Sequence, residues 1–242
     1  MEWIKLRSLR STWGAPALAV VAAVGLAMQN GSGVTSTGDL TRSALTAGTL
    51  VGLALVSVLG VLTMTNEYTS GMIRSTLVAS PRRPLVLIAK VTVFGTVALI
   101  VGEAVAFASF FAGGMALKHG VVAPTLSDPG VLRAVVLTGA SFCLIGLIGL
   151  GLGAIIRSTA AGIVVTLLGV FVLAQLAGRL VNLIRYAPLG IVQNSLSVPQ
   201  QACSSGTAPC HLVSAWTGLG MLGLYAVVAL AIGGSLLAWR DA

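Results

Sequence analysis

Long stretches without a charged side chain are the feature that most constrains this sequence. The stretches between Arg10 and Asp39 and between Arg42 and Glu67 contain 28 and 24 uncharged residues. A helix crosses the hydrocarbon core of a membrane in about 20 apolar residues. Only 8% of the chain is charged and 56% is hydrophobic, whereas soluble domains carry about a quarter charged residues. The composition therefore excludes a soluble globular enzyme, a nucleic-acid-binding domain and a disordered tail.

Six apolar segments are long enough to cross a membrane as helices. They are predicted at about 14–29, 44–65, 89–115, 134–156, 159–178 and 213–238. Helices satisfy every backbone polar group within the segment, as the lipid interior requires, and these runs are too long for barrel strands of about ten residues. The sequence therefore predicts an all-α polytopic membrane protein in which residues 1–242 form one transmembrane domain.

The distribution of Lys and Arg predicts the orientation. With the N-terminus in the cytoplasm, the cations on the inner side are Lys5, Arg7, Arg10, Arg74, Arg82, Arg83, Lys90, Arg157 and Arg240. Those on the outer side are Arg42, Lys118, Arg133, Arg179 and Arg185. Cytoplasmic loops carry the excess of Lys and Arg, so both termini are predicted to be cytoplasmic. The net charge of +8 is accordingly a topology signal, and no nucleic-acid partner is expected.

The N-terminal segment 2–13 has the pattern of an amphipathic helix. Its apolar residues Trp3, Leu6, Leu9 and Trp13 fall in one sector of a helical projection. This predicts a helix lying flat at the cytoplasmic interface before the first span. The alternative is a basic flank that only sets topology. A cleaved signal peptide is a further alternative for the first span, although no small-x-small cleavage site follows the apolar run.

The connection between the second and third predicted spans carries the most informative motif. Asn66 is able to cap a helix, and Glu67 then lies in the first turn, where the helix macrodipole favours an anion. Pro81 ends this predicted helix. Glu67, Gly71 and Arg74 share one stripe of it because they are spaced i, i+4 and i+7. A glycine in that stripe permits close approach by another backbone.

The motif resembles the signature of type-two ABC exporter permeases. Its parts are Glu67-x3-Gly71-x2-Arg74, then Ser80-Pro81-x-Arg83, then a hydrophobic run that ends at Lys90. The layout of the whole chain is similar as well. It has a basic N-terminal segment, six predicted spans, a short connection at Arg157 between spans four and five, and a long outer segment before the last span.

The resemblance implies a docking role for the connection after span two. In this family that segment is a coupling helix that docks on a separate ATPase subunit. Residues 67–79 are therefore expected to meet the ATPase, with Glu67 and Arg74 making polar contacts and Gly71 permitting closeness. The residues expected at the ATPase-coupling interface are Glu67, Tyr68, Gly71, Arg74, Arg83 and Arg157. The alternative is a solvated cytoplasmic loop whose cations only set topology.

The resemblance also implies partners and a location. Two copies of an ABC ATPase subunit are expected to act with two permease subunits, as a homodimer or a heterodimer with a related permease, in a bacterial cell membrane. The chain contains no Gly-x4-Gly-Lys-[Ser/Thr] phosphate-binding loop. ATP and Mg are therefore expected on the partner ATPase, and no cofactor is expected on this chain.

The outer segment 179–212 is too long for a plain turn between two helices. Its apolar content predicts short helices that dip back into the outer leaflet, and the resemblance implies the same. Cys203 and Cys210 bracket a short polar stretch on the oxidising side of the membrane, which favours a disulfide. The competing interpretation is a metal site with His211, but such a site needs three or four ligands, and no metal site is expected.

Glu103 is the only acid inside a predicted span. An acid within the membrane is costly and is a functional candidate by default: it is able to bind a cationic substrate, relay a proton or pair with a buried donor. Cys143 is expected to be a small apolar packing residue. Gly149-x3-Gly153 would let two helices pack closely, although a chain with 30 glycines contains such a spacing by chance.

Three functions are weighed against these features. The first is the permease subunit of an ATP-driven exporter that moves a hydrophobic or amphipathic substrate, such as a drug, an antibiotic peptide or a lipid-like molecule. The second is an ATP-independent secondary transporter or channel, for which an internal repeat and paired intramembrane charges are lacking. The third is an intramembrane enzyme. A rhomboid-type nucleophile turn is incomplete at Gly139-Ala-Ser141-Phe, and Ser141 has no evident basic partner, so the chain is not expected to be catalytic.

Overall fold

In the part of the chain that it describes, the computed structural model consists of helices and short turns, with no strand. That part comprises residues 20–29, 40–69, 83–116, 125–172, 187–196 and 214–239. The helices are α1 (Val20–Gln29), α2 (Leu40–Thr69), α3 (Arg83–Met115), α4 (Val131–Ile156), α5 (Thr159–Leu167), α6 (Pro188–Ser195) and α7 (Ala215–Trp239). A π-helical segment, Leu168–Val172, continues directly from α5. The prediction of an all-α protein is confirmed for these residues.

Four of the helices are long and apolar enough to cross a membrane. They are α2, α3, α4 and α7, which correspond to the predicted spans at 44–65, 89–115, 134–156 and 213–238. The predicted first and fifth spans contain shorter apolar helices, Val20–Gln29 and Thr159–Phe171. The remainders of those two spans, 14–19 and 173–178, lie outside the described residues.

Helix α4 forms the centre of the bundle. In its most apolar window 67% of the residues are buried, against 22% in the corresponding windows of α3 and α7. The α4 side chains Phe142 and Ile145 pack in one core with Leu53 of α2 and Leu222 of α7. By contrast, α3 and α7 carry large apolar side chains on their outer faces, including Ile100 and Val227. Such outward-facing apolar surface suits contact with lipid.

Glycines bring the backbones of α2 and α4 into contact. A Cβ atom on Gly60 of α2 would collide with the α4 backbone, and one on Gly149 of α4 would collide with the carbonyl oxygen of Ser57. One turn further along α4, a Cβ on Gly153 would lie 3.0 Å from the carbonyl oxygen of Val61. Small residues permit this kind of close helix crossing. The Gly149-x3-Gly153 spacing therefore marks a true contact, although the sequence alone gave it little weight.

Each end of the bundle has its own cluster of buried apolar side chains. At one end, the last turns of α2, α4 and α7 meet the start of α3, and the buried side chains there are Met64, Leu87, Leu150, Ala154 and Leu237. We call this the Lys90 end. At the opposite end, the last part of α3 meets the start of α4 and residue Leu196, and we call this the Leu196 end. The assignment of the Lys90 end to the cytoplasm stays a prediction.

Several predicted features fall outside the described residues. These are the N-terminal segment 2–13, the motif residues Gly71 and Arg74, and the cysteines Cys203 and Cys210. The interfacial helix, the coupling helix and the disulfide therefore stay predictions. Helix α6 lies within the segment 179–212, for which short helices are predicted, and packs against α7 through Ile191. Its placement in the outer leaflet stays a prediction.

Candidate functional site

An ion pair joins α2 to α3 at the Lys90 end. The ammonium Nζ of Lys90 donates to Oε1 of Glu67 at 2.8 Å and to the carbonyl oxygen of Thr63 at 3.3 Å. Glu67 is 5% exposed and Lys90 is 6% exposed. Charged side chains are almost never this buried unless they are paired. The contact therefore satisfies two charges that would be costly apart.

The position of Glu67 corrects one prediction from the sequence. Asn66 was expected to cap a separate helix with Glu67 in its first turn, but α2 continues through both residues to Thr69. Glu67 thus lies in the last turn of α2. The physical reason is packing: Met64 is fully buried in the apolar cluster of this end, and the ion pair with Lys90 keeps the following residues on the same helix.

Lys90 belongs to the motif, but it was not among the residues predicted for the coupling interface. It was placed at the margin of a span beginning at 89, whereas α3 begins at Arg83 and Lys90 follows two turns later. A signal was present in the sequence. A helix starting near Pro84 places Lys90 within apolar surroundings, where a cation needs a partner. The nearest acid in the preceding connection is Glu67.

A stacked arginine lies beside the ion pair. The guanidinium carbon of Arg157 is 5.2 Å from the centre of the Tyr68 ring, within the range of a cation–π contact. Arg157 ends α4 in the left-handed conformation, with φ 58° and ψ 3°, and its backbone N–H donates to the carbonyl oxygen of Gly153 at 3.1 Å. This conformation is uncommon for a residue other than glycine. It reverses the chain between α4 and α5.

Polar groups of the stacked arginine are buried without hydrogen-bond partners. Among the residues that the structure describes, Nε and Nη2 of Arg157 have none. Buried donors of this kind ordinarily find a partner.

The structure brings together three of the six residues predicted for the coupling interface. Glu67, Tyr68 and Arg157 lie side by side at the Lys90 end, and Lys90 joins them. Arg83 is the first residue of α3 at this same end. Gly71 and Arg74 lie outside the described residues. Because Glu67 and Tyr68 are adjacent in the chain, one turn of α2 holds both α3 and the α4–α5 turn.

Glu103 occupies the middle of α3 and faces α4. Its carboxyl group lies against Gly139, which has no side chain. A Cβ atom at that position would be 2.6 Å from each carboxylate oxygen. Oε2 of Glu103 is buried and has no hydrogen-bond partner in the described part of the chain. Cys143 lies one turn after Gly139 and donates a weak hydrogen bond to the carbonyl oxygen of Gly95 at 3.3 Å. Gly139 thus provides the space that Glu103 occupies.

A Gly139→Ala variant tests this fit. We expect it to lower the free energy of unfolding by about 1 kcal/mol relative to the control below, the low end of the cost of overpacking, because the added methyl group must displace the flexible end of the Glu103 side chain. The gain in helix propensity from glycine to alanine is common to both variants. The measurement is thermal or denaturant unfolding in detergent micelles. Gly114→Ala is the matched control, since nothing lies within 4 Å of a Cβ atom at that α3 position. Equal unfolding of the two variants would contradict the described fit.

No metal centre is found in the described ranges. No group of three or more His, Cys, Asp or Glu side chains there has an arrangement able to hold a metal ion. The predicted competitor to the disulfide, a metal site at Cys203, Cys210 and His211, falls outside those ranges.

Comparisons with known proteins ended without a match. No protein-family model, no curated protein and no solved structure matches this chain. The candidate site therefore rests on the residues themselves: a buried ion pair between two spans, a stacked arginine at the next turn, and a single acid in the middle of α3.

Proposed function

We propose that this chain is the permease subunit of an ATP-driven ABC exporter. It would move a hydrophobic or amphipathic substrate outward together with two copies of a separate ATPase and a second permease subunit. One observation carries the proposal. The Glu67–Lys90 ion pair clamps the two ends of the connection that bears the motif Glu67-x3-Gly71-x2-Arg74, and the α4–α5 turn lies beside it.

The absence of a phosphate-binding loop supports a division of labour. The sequence contains no Gly-x4-Gly-Lys-[Ser/Thr] segment, which is the element that cradles nucleotide phosphates in ATPases of this kind. ATP and Mg would therefore bind the partner, and this chain would contribute the membrane passage. The partner would act at the Lys90 end, where α2 ends, α3 begins and the Arg157 turn lies.

The close crossing of α2 and α4 would transmit a displacement from the Lys90 end into the bundle. The backbones of these two helices touch at Gly60 and Gly149, so a displacement at the end of α2 would move α2 and α4 as one body. Packed cores switch between discrete arrangements instead of deforming continuously. In the proposed cycle this motion alternates the passage between inward-closed and outward-open states.

The proposed topology has six spans with both termini in the cytoplasm of a bacterial cell. In this arrangement α1 is part of the first span and α5, with its π-helical continuation, is part of the fifth. Residues 2–13 lie along the inner surface, and α6 lies at the outer one. The excess of Lys and Arg predicted for the inner side supports this orientation.

An ATP-independent secondary transporter or channel is the second candidate, and Glu103 favours it. Ionisable residues within membrane segments often mark ion pathways, and a carboxylate oxygen of Glu103 is buried without a hydrogen-bond partner among the described residues. In the exporter, the same carboxyl group would line the substrate path. The two candidates differ in their requirement for ATP.

Affinity capture of the tagged chain from detergent-solubilised bacterial membranes tests the proposal. We expect mass spectrometry to identify a co-purifying ABC ATPase in equal numbers, and the complex in lipid nanodiscs to hydrolyse ATP faster than the isolated ATPase. Efflux of a lipophilic dye from cells should then depend on both subunits. Dye or ion transport by the purified chain alone would support the secondary transporter instead.

A Gly71→Trp variant tests the docking of the connection. We expect ATP hydrolysis by the complex to fall about tenfold, a typical coupling between sites, because the indole would separate the two subunits. Membrane insertion should stay unchanged. Gly220→Trp is the control, since nothing lies within 4 Å of a Cβ atom at that position in α7. A Gly71→Trp complex as active as the control would contradict the docking role.

A further inference from the structure

We propose that Lys90 is a positioning residue, which fixes α3 to the last turn of α2 so that movement of the connection 70–82 reaches both helices and the α4–α5 turn together. This inference rests on the proposed function. It also changes the expected role of Glu67: the carboxylate acts inside the permease on Lys90, and the ATPase is not its partner.

Burial separates these two roles for Glu67. A residue that makes polar contact with a docked subunit presents its side chain at the surface, whereas Glu67 is only 5% exposed and its Oε1 accepts from Lys90 at 2.8 Å. A contact with the ATPase would require the carboxylate to leave its buried position beside Lys90. The cost of parting a buried pair is high, so the geometry assigns Glu67 to the inside of the permease.

Lys90 makes a second contact with α2. Nζ also donates to the carbonyl oxygen of Thr63 at 3.3 Å, four residues before Glu67. In an α-helix, residue 63 precedes residue 67 by about one turn. Lys90 therefore contacts α2 at two points within one turn. Both contacts hold the ammonium group against the same face of α2.

Tyr68, the residue after Glu67, connects α2 to the α4–α5 turn. Tyr68 lies under the guanidinium group of Arg157, 5.2 Å from the ring centre to the guanidinium carbon. Glu67 and Tyr68 thus hold α3 and the α4–α5 turn from consecutive positions. Any displacement of the end of α2 is passed to both. A partner that pushes on residues 70–82 would move α2, α3 and the α4–α5 turn without touching Glu67 or Lys90.

The test separates positioning from folding and from docking. It uses the captured complex in nanodiscs and measures three quantities: the ATPase retained per permease, and the KM and kcat of ATP hydrolysis. The variant Glu67→Leu/Lys90→Met replaces the ion pair by two apolar side chains, which often preserves stability. Lys90→Arg keeps the charge and the donors. Tyr68→Leu removes the ring beneath Arg157 and tests the same attachment if the double variant does not fold.

We expect the apolar double variant to retain the ATPase and its KM for ATP while kcat falls about tenfold. Lys90→Arg should keep most of the wild-type kcat, and Tyr68→Leu should lower kcat with normal retention of the ATPase. A double variant with wild-type kcat would overturn the inference. Loss of ATPase binding would overturn it too, because it would make the pair a docking contact. Failure of the wild-type chain to capture an ATPase would instead refute the proposed function.

Discussion

Replacing Lys90 with Met is expected to lower the free energy of unfolding by about 3–5 kcal/mol, the range measured when one member of a buried ion pair is removed. The physical reason is that Glu67 would remain buried without the ammonium group that now lies 2.8 Å from its Oε1. Denaturant unfolding of the purified chain in detergent micelles measures this effect, and it requires no partner and no substrate.

Two further variants show whether the loss comes from the uncompensated charge. Glu67→Leu/Lys90→Met should recover most of the lost free energy, because no buried charge is left. Arg133→Met removes a cation from the start of α4, at the Leu196 end, where Nε of Arg133 has no hydrogen-bond partner among the described residues. This control should change stability by less than about 1 kcal/mol. Equal loss in Lys90→Met and Arg133→Met would contradict the importance of the pair.

Replacing Gly149 with Leu is expected to have an effect of similar size. Overpacking a core costs about 1–3 kcal/mol and occasionally more. We expect the upper end, because the new side chain meets the carbonyl oxygen of Ser57. A backbone atom has no alternative rotamer, so α2 and α4 must separate. The measurement is the yield of folded protein in detergent together with its unfolding transition.

The matched control for this helix crossing is Gly223→Leu. Nothing lies within 4 Å of a Cβ atom at Gly223 in α7, so a leucine there has room. The two variants make the same chemical change in a membrane-spanning helix. If Gly223→Leu lowered stability as much as Gly149→Leu, the loss would come from leucine in a helix and not from the α2–α4 contact.

The lengths of the apolar runs were the most predictable part of the fold. The span predicted at 134–156 is observed as Val131–Ile156, and that predicted at 213–238 as Ala215–Trp239. Charged or polar residues lie near both ends of these runs, and the membrane thickness sets a length that a sequence of this composition must match. The length of an apolar run therefore predicts the position of a helix without any knowledge of the helices packed against it.

The end of α2 could not be predicted in the same way. The span was expected to stop near residue 65 because Glu67 was counted as a boundary, yet α2 continues to Thr69. The missing information is tertiary: Lys90 neutralises Glu67 from a helix that begins 14 residues after α2 ends. Contacts between helices decide such cases, and hydropathy along one segment does not report them.

The contact between α2 and α4 at Gly149 could not be predicted from the glycine spacing alone either. The spacing of Gly149 and Gly153 was visible, but so were many other glycines among the 30 in the chain. Only the facing residues show which ones matter: Gly149 meets Ser57, whereas Gly223 meets open space. A small-residue pattern indicates that close packing is permitted. The partner helix determines whether it occurs.

The ion pair between Glu67 and Lys90 has a consequence for how the chain is made. Each charge alone is unfavourable in the apolar interior of a bilayer by about 2.5–3.5 kcal/mol at the helix centre, and less near the margin. Paired, the two charges present a nearly neutral contact. Insertion of α2 and α3 into lipid together, as one hairpin, would therefore cost less free energy than insertion of either helix alone.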